Sequence, residues 1–311
     1  MQSYAQSPDG GDGIIIASNY AVTLLLCSHI IIRKELIMVE LDVKITSGDL
    51  YDFLLRHSYN SVSGLLALKH SLRGGFMTMP FTVPVTLHGR VCETPDTWTI
   101  QLETPKTFRP KAGQFVMVPI GNTGLVRCWT VSSTCDSCEF TTLTVRCVPG
   151  GRGSVWITKD VPVGARFSIS EPMGDFVVDE KDPGPFLLIA AGIGVTPVMS
   201  IARDLLIRRP GTPVTVLYCA RNQASVVFGK LWRTLAECRE ELTFLPFVKE
   251  DPLPGEPAGR LTAERILEYC PDVANRTVYA CGSEGFMNSM AEAVIGLGCD
   301  PKRVHTEALL P

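Results

Sequence analysis

A chain of 311 residues with 45% hydrophobic content is long enough for about two domains, each with its own buried core. A net charge of −3 argues against a general nucleic-acid binder, which needs a basic surface, so no nucleic-acid partner is expected. Eleven cysteines without regular spacing exclude a disulfide framework and fit a reducing, cytoplasmic compartment where thiols serve as small buried side chains.

Three composition zones follow one another: residues 1–79, an N-terminal extension; 80–179, rich in short alternating segments; and 184–311, where strand and helix patterns alternate. In the first zone, Gly13 to Ile32 is an uncharged run of twenty residues followed by Arg33 and Lys34. That is close to the length needed to cross a bilayer. Ser18, Asn19, Ser28 and His29 dilute it, so a membrane helix, an interfacial anchor and a buried or mispredicted extension are all open readings, with membrane contact through residues 13–32 among them. Asp9 and Asp12 precede the run where a secretory signal carries positive charge, so it is a poor signal peptide. Ile45 to Leu72 fits one or two short helices.

From Phe81 to Val178 the pattern predicts strands over Val83–Leu87, Thr97–Leu102, Gln114–Pro119, Cys128–Ser132, Thr141–Cys147 and Arg166–Glu171, separated by Gly and Pro turns. Short strands at this spacing predict a small antiparallel barrel. Cys135 and Cys138 have metal-ligand spacing and, with Cys128 and Cys147 nearby, form a candidate metal set, but the alternation around them reads as a hairpin, and no metal site is expected. Gly151-Arg152-Gly153-Ser154 runs into Val155-Trp156-Ile157, a glycine turn entering a short helix that would present N–H groups and a hydroxyl to a phosphate. A plain glycine hairpin is the alternative.

After the charged, proline-containing linker Asp179–Pro185, strands over Phe186–Ala190, Val214–Tyr218, Leu242–Val248, Thr277–Cys281 and Val304–Glu307 alternate with helices over Pro197–Arg208, Ser225–Arg239, Thr262–Tyr269 and Gly285–Gly296. That alternation predicts a parallel sheet with helices on both faces. The first unit carries the most informative segment: Leu187 to Ala191, then Gly192-Ile193-Gly194, then Val195-Thr196-Pro197. Glycines allow a sharp turn and close backbone approach, Thr196 is expected to cap the helix, and Pro197 fits its first turn. The turn is therefore a candidate pyrophosphate site at the carboxyl edge of the sheet.

Arg127-Cys128-Trp129-Thr130, Gly151 to Ser154, Gly192 to Pro197 and Cys281-Gly282, in that order, resemble the ferredoxin-NADP reductase family. Thr94 to Ile100 and Ala112 to Phe115 fit the same likeness, which covers Met77 to Glu307. The resemblance implies an antiparallel FAD-binding β-barrel followed by a parallel-sheet α/β NAD(P)-binding domain. It implies that Arg127 contacts the flavin diphosphate, Trp129 packs beside the flavin ring in place of the commoner tyrosine, and Thr130 lies near the ring nitrogen that receives hydride. Gly151, Gly153 and Ser154 would bind the same diphosphate; Gly192, Gly194, Thr196, Pro197 and Arg221 would hold the dinucleotide. Cys281 and Gly282 would line the nicotinamide path, although Ser283 replaces the family's proline. Glu307 matches a carboxylate near the flavin, without the aromatic that usually follows it.

The function so implied is an NAD(P)H oxidoreductase with FAD as cofactor, NADH preferred over NADPH, and an iron-sulfur or haem protein as acceptor. A non-catalytic flavin-binding subunit of a larger complex is the rival. Related enzymes continue into a Cys-x4-Cys-x2-Cys domain that does not appear before Pro311, so no 2Fe-2S cluster is expected in this chain.

Overall fold

The computed structural model describes residues 22–25, 29–32, 81–134 and 139–309, and the chain falls into two units, Met1–Gly75 and Phe76–Pro311. In the first unit, β1 (Val22–Leu25) and β2 (His29–Ile32) pair antiparallel, with Val22 opposite Ile32. The apolar run considered for membrane contact thus contains a pair of antiparallel strands. No helix among the described residues is long and apolar enough to cross a membrane. The helices expected between Ile45 and Leu72, and the Cys135/Cys138 pair, lie outside the described residues.

The second unit begins with a curled antiparallel sheet. Strands β3 (Val83–Thr94), β4 (Thr97–Glu103), β7 (Thr141–Arg146) and β8 (Arg166–Ile169) pair in the order β7-β4-β3-β8, and β5 (Phe115–Pro119) pairs with β6 (Val126–Thr130). Two links draw these pieces into a ring. Ser170 N–H donates to Met117 O at 3.0 Å beside β8, and Val131 bridges Leu143 beyond the end of β6. Strand alternation turns Val83, Val85 and Leu87 inward, where they meet Ile100, Leu102, Leu143 and Ile169. Each such fully buried side chain stabilises the fold by about 1.5–3 kcal/mol. Strand β3 runs seven residues past the predicted end because irregularities at Leu87/Gly89 and Cys92/Thr94 let it bend and keep pairing.

The helix α1 (Arg152–Val155) continues into a π-type turn over Trp156–Asp160 and sends Ile157 into the same core.

Five parallel strands follow: β9 (Phe186–Ala191), β10 (Val214–Ala220), β11 (Leu242–Val248), β12 (Thr277–Gly282) and β13 (Val304–Ala308), in the order β11-β10-β9-β12-β13. They alternate with α2 (Val195–Arg208), α3 (Gly229–Cys238), α4 (Ala263–Tyr269) and α5 (Glu284–Gly296). The period of two in β9 sends Phe186, Leu188 and Ala190 against α2, while Leu187 and Ile189 meet Ile266 of α4 and Met290 of α5. Strand order reverses between β9 and β12, which opens a crevice at their carboxyl ends.

Two helix starts differ from expectation. Helix α2 begins at Val195 with Gly194 at its N-cap, and Thr196 donates its hydroxyl proton to Ile193 O at 3.1 Å instead of capping. Helix α3 begins at Gly229, since Asn222 and Ser225 close a capping box on a 3-10 turn and Phe228 sits at φ 59° before the helix. The two halves of the second unit touch through Ser200 Oγ of α2, which donates to Ser133 O at 3.1 Å, and through Tyr279 of β12, whose hydroxyl donates to Val177 O at 3.0 Å.

Candidate functional site: a crevice between the curled sheet and the parallel sheet

Strand β6 carries Arg127, Cys128, Trp129 and Thr130, registered against Val118, Met117, Val116 and Phe115 of β5. Arg127 is exposed, Trp129 is half-buried against the core of the curled sheet, and Thr130 is buried. Gly153 is the residue over which Arg127 crosses. A Cβ on Gly153 would lie 2.8 Å from Arg127 Cγ, so the bare glycine lets the arginine stem cross the loop. Gly151 makes similar room, because a Cβ there would lie 2.6 Å from Ser154 Oγ. The Ser154 hydroxyl is engaged within the loop: it accepts from Val148 N–H at 3.0 Å and donates to Gly151 O at 3.3 Å. It therefore braces the turn, while Arg127 supplies the exposed positive charge beside it.

On the parallel-sheet side, Ala191 leads into a 3-10 turn over Gly192–Gly194 and then α2. Gly192 has φ +55° and a Cβ there would meet nothing within 4 Å, so the left-handed backbone requires glycine and its outer face is open. Gly194 answers to a different constraint. A Cβ on it would lie 2.4 Å from Cys281 O, so glycine is needed for the turn to pack on the end of β12, not for approach to a ligand. Gly282 likewise lets Phe286 close in, its Cβ position lying 2.7 Å from Phe286 Cδ1. Ser283, in place of the family's proline, accepts from Phe286 N–H and caps α5.

The same edge holds Cys281 beside Glu307, paired across β12 and β13. Burial pushes the Glu307 carboxyl up to about 7, and its Oε2 is buried without a hydrogen-bond partner among the described residues. An orphaned carboxylate oxygen is expensive to bury, and it marks a position suited to a polar ligand group. The Cys281 thiol is fully buried and raised well above its usual range by that burial, with the Glu307 charge adding to the effect. Cys128, exposed on β6, is also raised, first by the protein around it and further by Glu307. In the sequence Cys128 figures as a neighbour of the Cys135/Cys138 pair, with no role beside Glu307. Only the fold brings it within reach of Glu307.

Arg221 lies two residues beyond Cys219, which pairs with Ala191, so it reaches the carboxyl edge beside the Gly192 turn and is exposed. Its neighbours are committed elsewhere. Ser225 Oγ bonds Asn222 at Oδ1 and at the main chain, and Asp251 accepts the Gln223 N–H at 2.7 Å. The structure thus gathers Arg127, Gly153 and the Ser154 loop on one wall, and Gly192, Gly194, Cys281, Gly282 and Glu307 on the other. Thr196 and Pro197 are buried in the first turn of α2.

The chain matches the oxidoreductase FAD-binding domain over residues 82–178 and the oxidoreductase NAD-binding domain over residues 188–292. Fold and site therefore define a two-domain FAD- and NAD-binding oxidoreductase. It is 39% identical over 227 residues to NADH oxidoreductase HCR of Escherichia coli (strain K12), covering 71% of this chain and 68% of that protein. It is 34% identical to the ferredoxin reductase component of 3-ketosteroid-9-alpha-monooxygenase of Mycobacterium tuberculosis (strain CDC 1551 / Oshkosh), over 65% of this chain and 56% of that protein. Among solved structures, Amycolatopsis cytochrome P450 reductase GcoB superposes with TM-score 0.68 at 26% identity, covering 74% of this chain and 70% of that one. The chain belongs to the ferredoxin reductase family.

Proposed function

We propose that this chain is an NADH-dependent flavoprotein reductase that passes electrons from NADH through FAD to an iron-sulfur or haem protein such as hybrid cluster protein. The observation that carries it is the meeting, at the crevice where strand order reverses, of the β6 strand with Cys281 and Glu307. Residues of both walls fit the cofactors. Arg127 offers a charge-assisted contact to a diphosphate, and the glycines at 151 and 153 let Ser154 and the arginine stem pack close against that loop. When bound, FAD accepts a hydride and returns electrons singly, which matches a two-electron donor to one-electron acceptors. Thr130 and Trp129 would hold the ring edge, and Gly192 leaves room for the dinucleotide. Glu307, with an ionisation near neutrality, would hold or release a proton beside the ring at working pH.

The test is optical. Purified protein should show the absorbance bands of oxidised flavin and lose them on anaerobic addition of NADH. Bands that persist with NADH present would favour a non-catalytic flavin-binding subunit, and a colourless protein that takes up no added flavin would end the proposal.

A further inference from the structure

The β6 wall and the Cys281/Glu307 wall belong to different halves of the second unit, so their separation depends on what ties the halves together. One tie runs through residues 173–177. At its first end Met173 and Phe115 exchange both main-chain hydrogen bonds, Met173 N–H to Phe115 O and Phe115 N–H to Met173 O, each at 2.9 Å. Phe115 is the β5 residue opposite Thr130, so this end is fixed to the strand pair that carries Arg127, Trp129 and Thr130. Two glycines make the fit close. A Cβ on Gly113 would lie 1.9 Å from Phe176 O, and one on Gly174 would lie 3.0 Å from Phe115 Cδ1.

At the other end the partner is Tyr279, whose hydroxyl donates to Val177 O at 3.0 Å. Its buried ring meets Phe176 edge-on at 5.3 Å and stacks on His305 at 4.6 Å. Burial raises the phenol, with the Asp182 and Asp179 carboxylates adding to the effect, so it keeps its proton and acts as a donor. The chain beyond is fastened to the parallel-sheet half, where Thr277 donates to Asp182 Oδ2 at 2.5 Å and Arg209 to Asp179 O at 2.7 Å. Tyr279 and Cys281 share one face of β12 and pair with His305 and Glu307 of β13. A continuous line of contacts therefore runs from Thr130 through Phe115, the 173–177 segment and Tyr279 to Cys281 and Glu307. Phenylalanine would serve the ring contacts equally well. It is the hydroxyl that crosses between the halves.

We propose that Tyr279 is a positioning residue, whose hydroxyl bond to Val177 sets the spacing between Thr130 and the Cys281/Glu307 pair and so the distance over which hydride is passed. The assignment rests on the flavoprotein reading above. Acting through the strap and not on either reactant, Tyr279 governs the geometry of transfer and leaves affinity alone.

The test uses the purified full-length protein and Tyr279→Phe, which keeps both ring contacts and removes the hydroxyl. The rate at which saturating NADH bleaches the flavin should fall about tenfold, inside the roughly hundredfold that a misplacement of about 1 Å costs. The second tie, Ser200 Oγ to Ser133 O, is left intact, so the loss is partial. Flavin content and the NADH dissociation constant should stay within about twofold of wild type, while the deuterium isotope effect on steady-state dye reduction rises as transfer becomes limiting. Amide hydrogen exchange reads the tie without turnover. The Phe115 and Met173 amides should exchange about fivefold faster, the factor that goes with one lost neutral hydrogen bond. An unchanged bleaching rate in Tyr279→Phe, or losses of flavin and NADH affinity that match the loss of rate, would overturn the positioning role alone. Wild-type protein whose flavin NADH does not bleach would overturn the flavoprotein reading and this role with it.

Discussion

Gly194 and Cys281 are packed main chain to main chain: a Cβ on Gly194 would sit 2.4 Å from the Cys281 carbonyl oxygen and 2.9 Å from Gly282 N. Both contacts are with backbone, which cannot swing aside as a flexible side chain would. Gly194→Ala must therefore push the 192–194 turn away from the end of β12 and misplace the proposed nicotinamide path relative to the proposed flavin wall. A displacement of this kind costs on the order of a hundredfold in rate. We expect kcat/KM for NADH to fall by about that factor while flavin absorbance stays at the wild-type level. Wild-type NADH kinetics in the alanine variant would refute the close packing.

The crossing of Arg127 over Gly153 makes a second prediction. Arg127→Ala removes the exposed cation on β6 and should weaken flavin binding by about tenfold or more, the usual cost of losing a hydrogen bond to a charged group. Gly153→Val should do the same by displacing the arginine stem, with Arg127 itself intact. Flavin-to-protein ratios after gel filtration read both effects, and full retention in either variant would count against this wall as the diphosphate site.

Much of this architecture was legible in the sequence because its signals are local. The apolar run Leu187 to Ala191 followed by Gly192 marks a buried parallel strand and a positive-φ turn wherever it occurs. Helix α5 was anticipated within one residue for the same reason: Ser283 and Phe286 carry its start in four consecutive residues. What stayed hidden depends on partners distant in sequence. Nothing near Gly194 announces Cys281, and nothing near Cys128 announces Glu307. The hydroxyl of Thr196 had an equally good local alternative in Ile193 O, and only the positions of the flanking residues decide between capping and back-bonding.

Glu307 should make the protein sensitive to pH. Its folded-state value of about 7 lies above the usual 4.5 because burial disfavours the anion. Between those values the folded chain holds a proton that the unfolded chain has released, so stability falls as pH rises through this window and levels off above it. Glu307→Gln has no proton to lose. At pH 8 it should melt roughly 2–4 °C above wild type, with the two curves converging near pH 4.5. The same variant should lose any kinetic limb near pH 7 in flavin reduction by NADH. Melting profiles that run parallel from pH 4.5 to 8 would refute the assignment.

Residues 1–76 carry none of the cofactor motifs, and the unit beginning at Phe76 contains both walls of the crevice. A shortened chain starting at Met77 should therefore retain flavin and reduce a dye acceptor with NADH at a rate within about twofold of the full chain, since both walls lie in the retained unit. A folded product that neither binds flavin nor oxidises NADH would show that the upstream segment contributes to the site.

Discrimination between the two nicotinamide dinucleotides turns on the loop after β10. A 2′-phosphate adds negative charge and needs basic groups or free donors around the adenosine ribose. Arg221 is the exposed cation there; Arg233 also reaches the loop, donating to Gln223 Oε1 at 3.0 Å, but it is held by Glu256. Ser225, the natural hydroxyl partner for a phosphate, is already spent: its Oγ lies 2.8 Å from Asn222 Oδ1, and its N–H donates to the same oxygen. Asp251 holds the Gln223 N–H at 2.7 Å and places a carboxylate against the loop from the β11 side. A 2′-phosphate would thus meet Arg221, a closed capping box, an Asp251 carboxylate, and an Arg233 already paired with Glu256 at 2.7 Å. We expect kcat/KM for NADH to exceed that for NADPH by about tenfold or more, the factor that goes with roughly 1.4 kcal/mol of lost or opposed charge interaction. Asp251→Asn should narrow the ratio chiefly by improving NADPH, because it removes the repulsion and keeps an oxygen acceptor for Gln223. Steady-state dye reduction with each nucleotide measures both ratios, and a wild-type preference for NADPH would refute this account of the loop.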